Sequence, residues 1–274
     1  MSEHRPPEEV IRHYRDEIDE GQRITGGLGE LELLRTREIV RRHLPDRPLR
    51  VVDVGGATGV HAAWLADDGH RVHVVEPVAA QVAQVLESPG ARAGRITAEV
   101  GDARRLTIED ESFDAALLLG PLYHLTDRDD RLTALAEARR VVRPGAPIFV
   151  AAISRFASLF DGLARGFLFE PDFQEIVGRD LREGQHRNPG RRPHWFTTAY
   201  FHHPDELEDE VRASGLDVLE VLGVEGLAGW LTPLGDRWSD PVAREVILGS
   251  ARAVEGEPCL RGLSAHLLAV AARP

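Results

Sequence analysis

Between Leu49 and Ile153 the chain alternates short apolar runs with helical stretches, and few architectures satisfy that alternation. Arg50–Val54, Val72–Val75, Arg95–Val100, Ala115–Leu119 and Pro147–Ile153 read as strands. Ala62–Ala66, Val78–Leu86 and Arg131–Val142 read as the helices between them, stopped near Gly69 and before Pro144-Gly145. The strand runs are continuously apolar, as expected of strands covered on both faces; a strand with one wet face would alternate apolar with polar residues. Leu216–Val224 and Ser264–Ala271 add two later strands, with a helix over Pro204–Ser214. The expectation is an α/β fold with a mostly parallel seven-stranded sheet and helices on both faces.

Four segments organise the chain. Residues 1–48 read as a helical cap, with one helix over Glu9–Glu20, a flexible joint at Ile24–Gly27 and a second helix over Leu28–Leu44. Residues 49–153 form the first part of the sheet. Residues 154–203 interrupt the alternation and read as an inserted lid or substrate segment, because connections this long rarely idle. Residues 204–274 return to the sheet, with a small excursion over Gly226–Pro258.

Composition removes several chemistries. All 33 basic residues are Arg, so no lysine exists for a Schiff base or a Walker-type phosphate loop. Cys259 is the single cysteine, which excludes an intrachain disulfide and a cysteine-rich zinc site. A net charge of −12 argues against nucleic acid as a partner, since phosphate attraction needs a basic face. No run approaches the roughly 20 apolar residues of a membrane span. The charged opening MSEHRPPEEV lacks an apolar signal core, so the expected location is cytoplasmic. Rich Ala and Arg usage without Lys suggests a high-GC bacterial coding sequence.

The most informative segment is Val51-Val52-Asp53-Val54-Gly55-Gly56-Ala57-Thr58-Gly59, an apolar strand that ends in an acid and runs into a glycine-rich turn. Glycines let backbone turn tightly and approach a ligand closely. A dinucleotide fingerprint needs G-x-G-x-x-G. Starting at Gly55 its positions hold Gly55, Ala57 and Val60; starting at Gly56 they hold Gly56, Thr58 and His61, and neither fits. The segment instead resembles the first motif of the class I S-adenosylmethionine-dependent methyltransferases, D/E-x-G-x-G-x-G, with Asp53, Gly55 and Gly59 in place, Ala57 at the middle glycine and Gly56 beside it. Further family features follow in order: Val72–Pro77 as a strand ending in Glu76, then Gly101-Asp102-Ala103, then Phe113-Asp114-Ala115 leading to Leu119-Gly120-Pro121-Leu122-Tyr123-His124, and Arg143-Pro144-Gly145. The resemblance covers Leu49 to about Ile153 well and Pro204 onward loosely. It implies a Rossmann-like class I methyltransferase fold and S-adenosyl-L-methionine as cofactor.

By that resemblance, Asp53, Gly55, Gly56 and Gly59 form the cofactor turn. Glu76 accepts the ribose hydroxyls, Asp102 the adenine amino group, the Ala103 N–H meets the ring, and Leu119 lies beside the methionine part. Tyr14 is a further candidate, since an N-terminal helix often closes over the cofactor in this family. Arg23 and Arg35 could meet its carboxylate, with a solvated face as the alternative reading. A sulfonium is already a good leaving group, so the protein mainly aligns reactants, and a base matters where the acceptor loses a proton. His124 is the candidate base, with binding or positioning roles as alternatives.

Trp195–His203 is strongly aromatic for a chain with 6% aromatic residues. Tyr123, His124, Phe156, Phe160, Trp195, Phe196, Tyr200 and Trp230 are therefore candidates for an acceptor pocket, a satellite core being the alternative. His202 and His203 alternate faces in a strand, and Asp127, Asp129 and Asp130 read as a helix start, so no metal is expected. Arg182, Arg187, Arg191 and Arg192 read as a solvated loop, with an anionic acceptor group as the rival. The expected activity is methyl transfer to O or N of a small, partly aromatic metabolite, in bacterial secondary metabolism. The alternatives are non-methylating chemistry on the same fold (decarboxylation, hydroxylation or cyclisation) and a cofactor-binding partner subunit without catalysis. A homodimer is conceivable.

Overall fold

A computed structural model describes residues 28–192, 194–230 and 235–274. The expected first helix, its joint, Tyr14 and Arg23 lie outside them. Helix α1 covers Leu28–His43. The sheet then begins with β1 (Arg50–Val54), α2 (Val60–Asp67), β2 (Arg71–Glu76), α3 (Ala79–Leu86), the single turn α4 (Pro89–Arg92), β3 (Ile96–Val100) and β4 (Ala115–Leu118). Next come α5 (Pro121–His124), α6 (Arg128–Val141) and β5 (Pro147–Ser154). The inserted stretch holds α7 (Ala157–Arg165), a 3₁₀ turn at Phe167–Phe169, α8 (Pro171–Glu183), β6 (Gln185–His186) and β7 (Ala199–His202). The chain closes with α9 (Pro204–Ala213), β8 (Asp217–Gly223), a 3₁₀ turn at Gly226–Trp230, α10 (Gly235–Ser239), α11 (Pro241–Val254) and β9 (His266–Ala272).

The path β3-β2-β1-β4-β5 is parallel throughout. β9 runs antiparallel along β5 from Pro147 to Ile153, and β8 pairs antiparallel with β9. These seven strands answer to the seven expected. The described residues hold nine, because β7 adds two parallel pairs at the tip of β5, Ile153 with Phe201 and Ser154 with His202, and β6 pairs with β7. Residues 199–202, read from sequence as part of the insertion, thus join the sheet. A two-pair ladder leaves no apolar run long enough to read as a strand.

Side-chain alternation explains why the strands are apolar throughout. Val52 and Val54 of β1 pack with Leu135 and Ala138 of α6 and Leu207 and Val211 of α9. Val51 packs with Ile39 and Val40 of α1, Leu65 of α2 and Val85 of α3. Both faces are covered, as the pattern required. Asp53 therefore points to the α1–α3 face, where an unpartnered charge is costly.

Two buried ion clusters tie the layers. Arg35 of α1 is fully buried: its Nε donates to the Val224 carbonyl at 3.2 Å, and its other nitrogens pair with Glu38 and Glu255. Neither reading of Arg35, cofactor carboxylate or solvated face, holds, because this helix turn faces the β8–β9 edge. Arg131 of α6 makes a fork to Glu210 of α9, with Nε to Oε2 at 2.8 Å and Nη2 to Oε1 at 2.6 Å. Its guanidinium lies 3.8 Å from the Tyr200 ring centroid, and His202 Nε2 lies 3.3 Å from Glu210. Burial alone would raise the Glu210 carboxyl; hydrogen bonds from Arg131 and His202 overcome this and hold it near 2. Asp127 caps α6, accepting from the Asp129 N–H at 2.8 Å, so the expected helix start is observed there.

Candidate active site

β1 and β4 are neighbours, but the chain leaves β1 toward β2 and leaves β4 toward β5. Such a reversal opens a crevice at the carboxyl ends of the strands. A cavity lies there, across the tips of β2, β1, β4, β5 and β9.

Its floor is the glycine turn. Gly55 has φ 70° and Gly59, at the start of α2, has φ 81°. A Cβ on Gly56 would sit 2.7 Å from Asp53 Oδ2 and 2.9 Å from a Val74 methyl, so that position admits no side chain. Ala57, which stands where the family motif has glycine, takes a φ of 46°. Its N–H donates to Glu76 Oε2 at 3.0 Å, and the Val78 N–H donates to Oε1 at 3.0 Å. Glu76 at the end of β2 thereby clamps the turn that follows β1.

Electrostatically the floor is charged and dry. Asp53 is 1% exposed, and neither carboxylate oxygen has a hydrogen-bond partner among the described residues. Thr58 Oγ1 in the same turn is likewise buried and unpartnered. Burial, and then the like charge of Glu76, push the Asp53 carboxyl up to about 7. Burial pushes Glu76 up to about 7 as well, against two backbone donors that favour its charged form. These orphaned acceptors fit a cationic ligand bearing N–H and O–H donors, which describes S-adenosylmethionine. A dinucleotide diphosphate would meet two carboxylates and no lysine.

The pH response follows from the sign of these shifts. In the ligand-free protein both carboxyls hold protons at a higher pH folded than unfolded, so stability falls as pH rises from about 4 to about 7. A cationic ligand favours the ionised pair. Cofactor affinity is therefore expected to tighten between pH 6 and pH 8, by up to about tenfold over that interval for each carboxyl that must ionise. Calorimetry with S-adenosylmethionine at both values checks this, and equal affinities would contradict it.

Placement of the other expected residues divides them. Gly55, Gly56, Asp53, Glu76, Asp102, Ala103, Leu119, Tyr123 and His124 line the cavity. Gly59 does not line it and instead opens α2. Asp102 is already held by Arg104, with Nε to Oδ1 at 2.9 Å and Nη2 to Oδ2 at 2.7 Å. Arg104 in turn reaches Asp130 of α6 at 2.8 Å. The Asp102 carboxylate is thus fixed by a fork.

Six of the expected pocket aromatics lie off the cavity wall. Trp195 is buried against Phe173, Ile176 and Val177 of α8 in a satellite core. Tyr200 is drawn between Arg131 and Arg155 by cation–π attraction. Phe156 and Phe160 pack on each other, and Phe160 lies 5.7 Å from Trp230. Phe196 stands behind the wall, stacked 6.1 Å from His124, and Trp230 packs on the same cluster as Tyr123 and Phe196. His124 Nδ1 lies 3.4 Å from the Thr198 carbonyl.

Sequence reasoning missed the far end of the cavity. Glu32 and Thr36 of α1, Val224, and His266 and Leu268 of β9 line it beside Ala151 of β5. Glu225 stands behind His266, with Oε1 2.5 Å from Nδ1. One ligand atom each of Glu32, Glu225 and His266 falls within 4.8 Å of the others, a spacing a cation could also use. No local signal marks these residues, which come from three separated segments.

Comparisons agree with this geometry. A family described as "Methyltransferase domain" matches residues 51–145. An O-methyltransferase from Aspergillus nomiae is 36% identical over 172 residues, 54% of this chain and 74% of that protein. A ubiquinone biosynthesis O-methyltransferase from Rhizobium leguminosarum is 28% identical over 200 residues, 71% of this chain and 68% of that protein. A crystal structure of an S-adenosylmethionine-dependent methyltransferase from Methanosarcina mazei shares the fold, with TM-score 0.57, 16% identity, and coverage of 86% of this chain and 96% of that one. Among the described residues no helix is long and apolar enough to cross a membrane.

Proposed function

This chain belongs to the class I S-adenosylmethionine-dependent methyltransferases, and we propose that its acceptor is a hydroxyl oxygen of a small, partly aromatic molecule. The observation that carries the oxygen is that imidazoles, His124 and His266 among them, line the cavity together with the apolar Leu119 and Leu125. A hydroxyl must lose a proton on methylation, and imidazole is suited to take it near neutral pH. Relatives named as O-methyltransferases support the same reading.

The cofactor, when bound, supplies an electrophilic methyl group. In our reading Glu76 grips the ribose hydroxyls, Asp53 faces the cationic methionine part, and the Ala103 N–H meets the adenine. Asp102, fixed by Arg104, walls the adenine side. Leu119, Gly120 and Pro121 separate this half from the acceptor end and exclude water. Alignment of two bound reactants is worth roughly 7–11 kcal/mol of barrier.

Radiolabelled methyl transfer to a panel of phenols, aromatic acids and aromatic amines tests the reading. Methyl ethers or esters are expected, with release of S-adenosylhomocysteine. Labelled amines with unlabelled phenols and acids would overturn the oxygen assignment.

A further inference from the structure

We propose that His266 is the general base of this methyl transfer and that Glu225 positions it; the inference rests on the hydroxyl-acceptor reading above. Glu225 follows β8 and is 3% exposed. Its carboxylate is fixed from three directions. Ser264 Oγ donates to Oε2 at 2.6 Å, the His266 backbone N–H donates to Oε2 at 3.0 Å, and His266 Nδ1 lies 2.5 Å from Oε1. The Glu225 N–H donates back to Ser264 Oγ at 2.9 Å. Arg35 holds the preceding residue through the Val224 carbonyl. A carboxylate on Nδ1 sets the tautomer that leaves Nε2 as the proton-accepting nitrogen, and it balances the charge the ring gains. Glu32 of α1 adds a second negative charge, with an oxygen 3.8 Å from Nδ1.

The position suits the role. His266 pairs with Ile153 across β5 and β9, at the carboxyl edge of the sheet, and its side chain lines the cavity. Glu76, which ends β2, and Asp102, which follows β3, lie on the opposite side of the switch point. An acceptor between His266 and the cofactor half would present its hydroxyl to the dyad. His124 lies by a neutral carbonyl, that of Thr198, and His61 accepts from the Trp64 indole at 3.3 Å. In the reaction the hydroxyl proton passes to His266 Nε2 while an oxygen lone pair forms the C–O bond. The S–C bond breaks with its electron pair left on sulfur, giving a methyl ether and a neutral thioether. The imidazolium then releases its proton to water.

Three proteins are compared, the wild type, His266→Gln and Glu225→Gln. Calorimetry with S-adenosylhomocysteine first shows that each variant keeps its cofactor site. Single-turnover methyl transfer is then measured at pH 8 to 4-methylphenol, which must be deprotonated, and to 4-nitrophenol, which is already largely ionised. His266→Gln is expected to lose about 10²–10⁴-fold with 4-methylphenol and little with 4-nitrophenol. Glu225→Gln should show the same selective loss in milder form. A purely structural role would slow both acceptors alike, and that result, or unchanged rates with both, overturns the assignment. Loss of wild-type activity in a chelator, restored by magnesium, overturns it in favour of a cation at Glu32, Glu225 and His266. If the wild type binds S-adenosylhomocysteine yet methylates neither phenol, the hydroxyl-acceptor reading falls and this inference with it.

Discussion

Glu210→Ala is expected to lower the unfolding free energy by about 3–5 kcal/mol, because it strands the Arg131 guanidinium in the interior. Arg131 is 1% exposed, and its fork to Glu210 joins α6 to α9. Removing Glu210 leaves a buried charge with only the Leu125 carbonyl and the Tyr200 ring to compensate it. Replacing both partners, as Arg131→Met with Glu210→Leu, should cost far less than the sum of the single changes, since the desolvation penalty leaves with the charges. Urea unfolding of the four proteins measures this, and additive losses would mean that the pair does not act as a unit. Acid sensitivity shares this origin. Glu210 is held near 2 in the fold, below its ordinary value of 4.5. Its contribution is complete above about pH 4.5 and is lost as pH falls through 2. Burial lowers the pKa of His202 below its ordinary 6.5, which hydrogen bonding to Glu210 partly opposes. Its neutral form is therefore favoured in the fold, and it too withdraws stability on acidification below that value.

Glu76→Ala is the second large effect, and it falls on binding. On the proposed ribose role the change takes the acceptor from two hydroxyls, and hydrogen bonds to a charged group are worth about 1.5–3 kcal/mol each. The cofactor dissociation constant should rise by about 10²-fold or more. The change also releases the Ala57 N–H that Glu76 accepts at 3.0 Å, so the glycine turn loses its clamp. Glu76→Gln separates the two contributions. The amide oxygen can still accept from one backbone N–H, but the negative charge of the carboxylate is gone. Calorimetry with S-adenosylhomocysteine on both variants reads the difference, and an unchanged constant for Glu76→Ala would refute the ribose assignment.

The glycine turn and its flanking acids were legible because their determinants are local. A strand, a glycine turn and an acid at the next strand end lie within Val51–Glu76, and the parallel ladder places them together without help from distant residues. The opposite end of the cavity depends on the order of later strands. β9 reaches β5 across more than a hundred residues, so His266 could not be read as a neighbour of the crevice. The aromatic stretch misled for a related reason. Aromatic side chains fill a satellite core and a pocket wall equally well, and the choice for Trp195 was made by α8, for Tyr200 by Arg131. The Arg104 fork on Asp102 is local, two residues away, yet its pairing needs the turn geometry that an isolated sequence does not display.

The satellite core of Phe173, Ile176, Val177 and Trp195 is packed separately from the two sheet cores. A segment that supplies its own hydrophobic support can change its sequence, or be exchanged for a relative's, while the parallel sheet stays intact. Among the described residues none of 157–196 lines the cavity, so libraries confined to this module should vary its packing while leaving the parallel sheet folded.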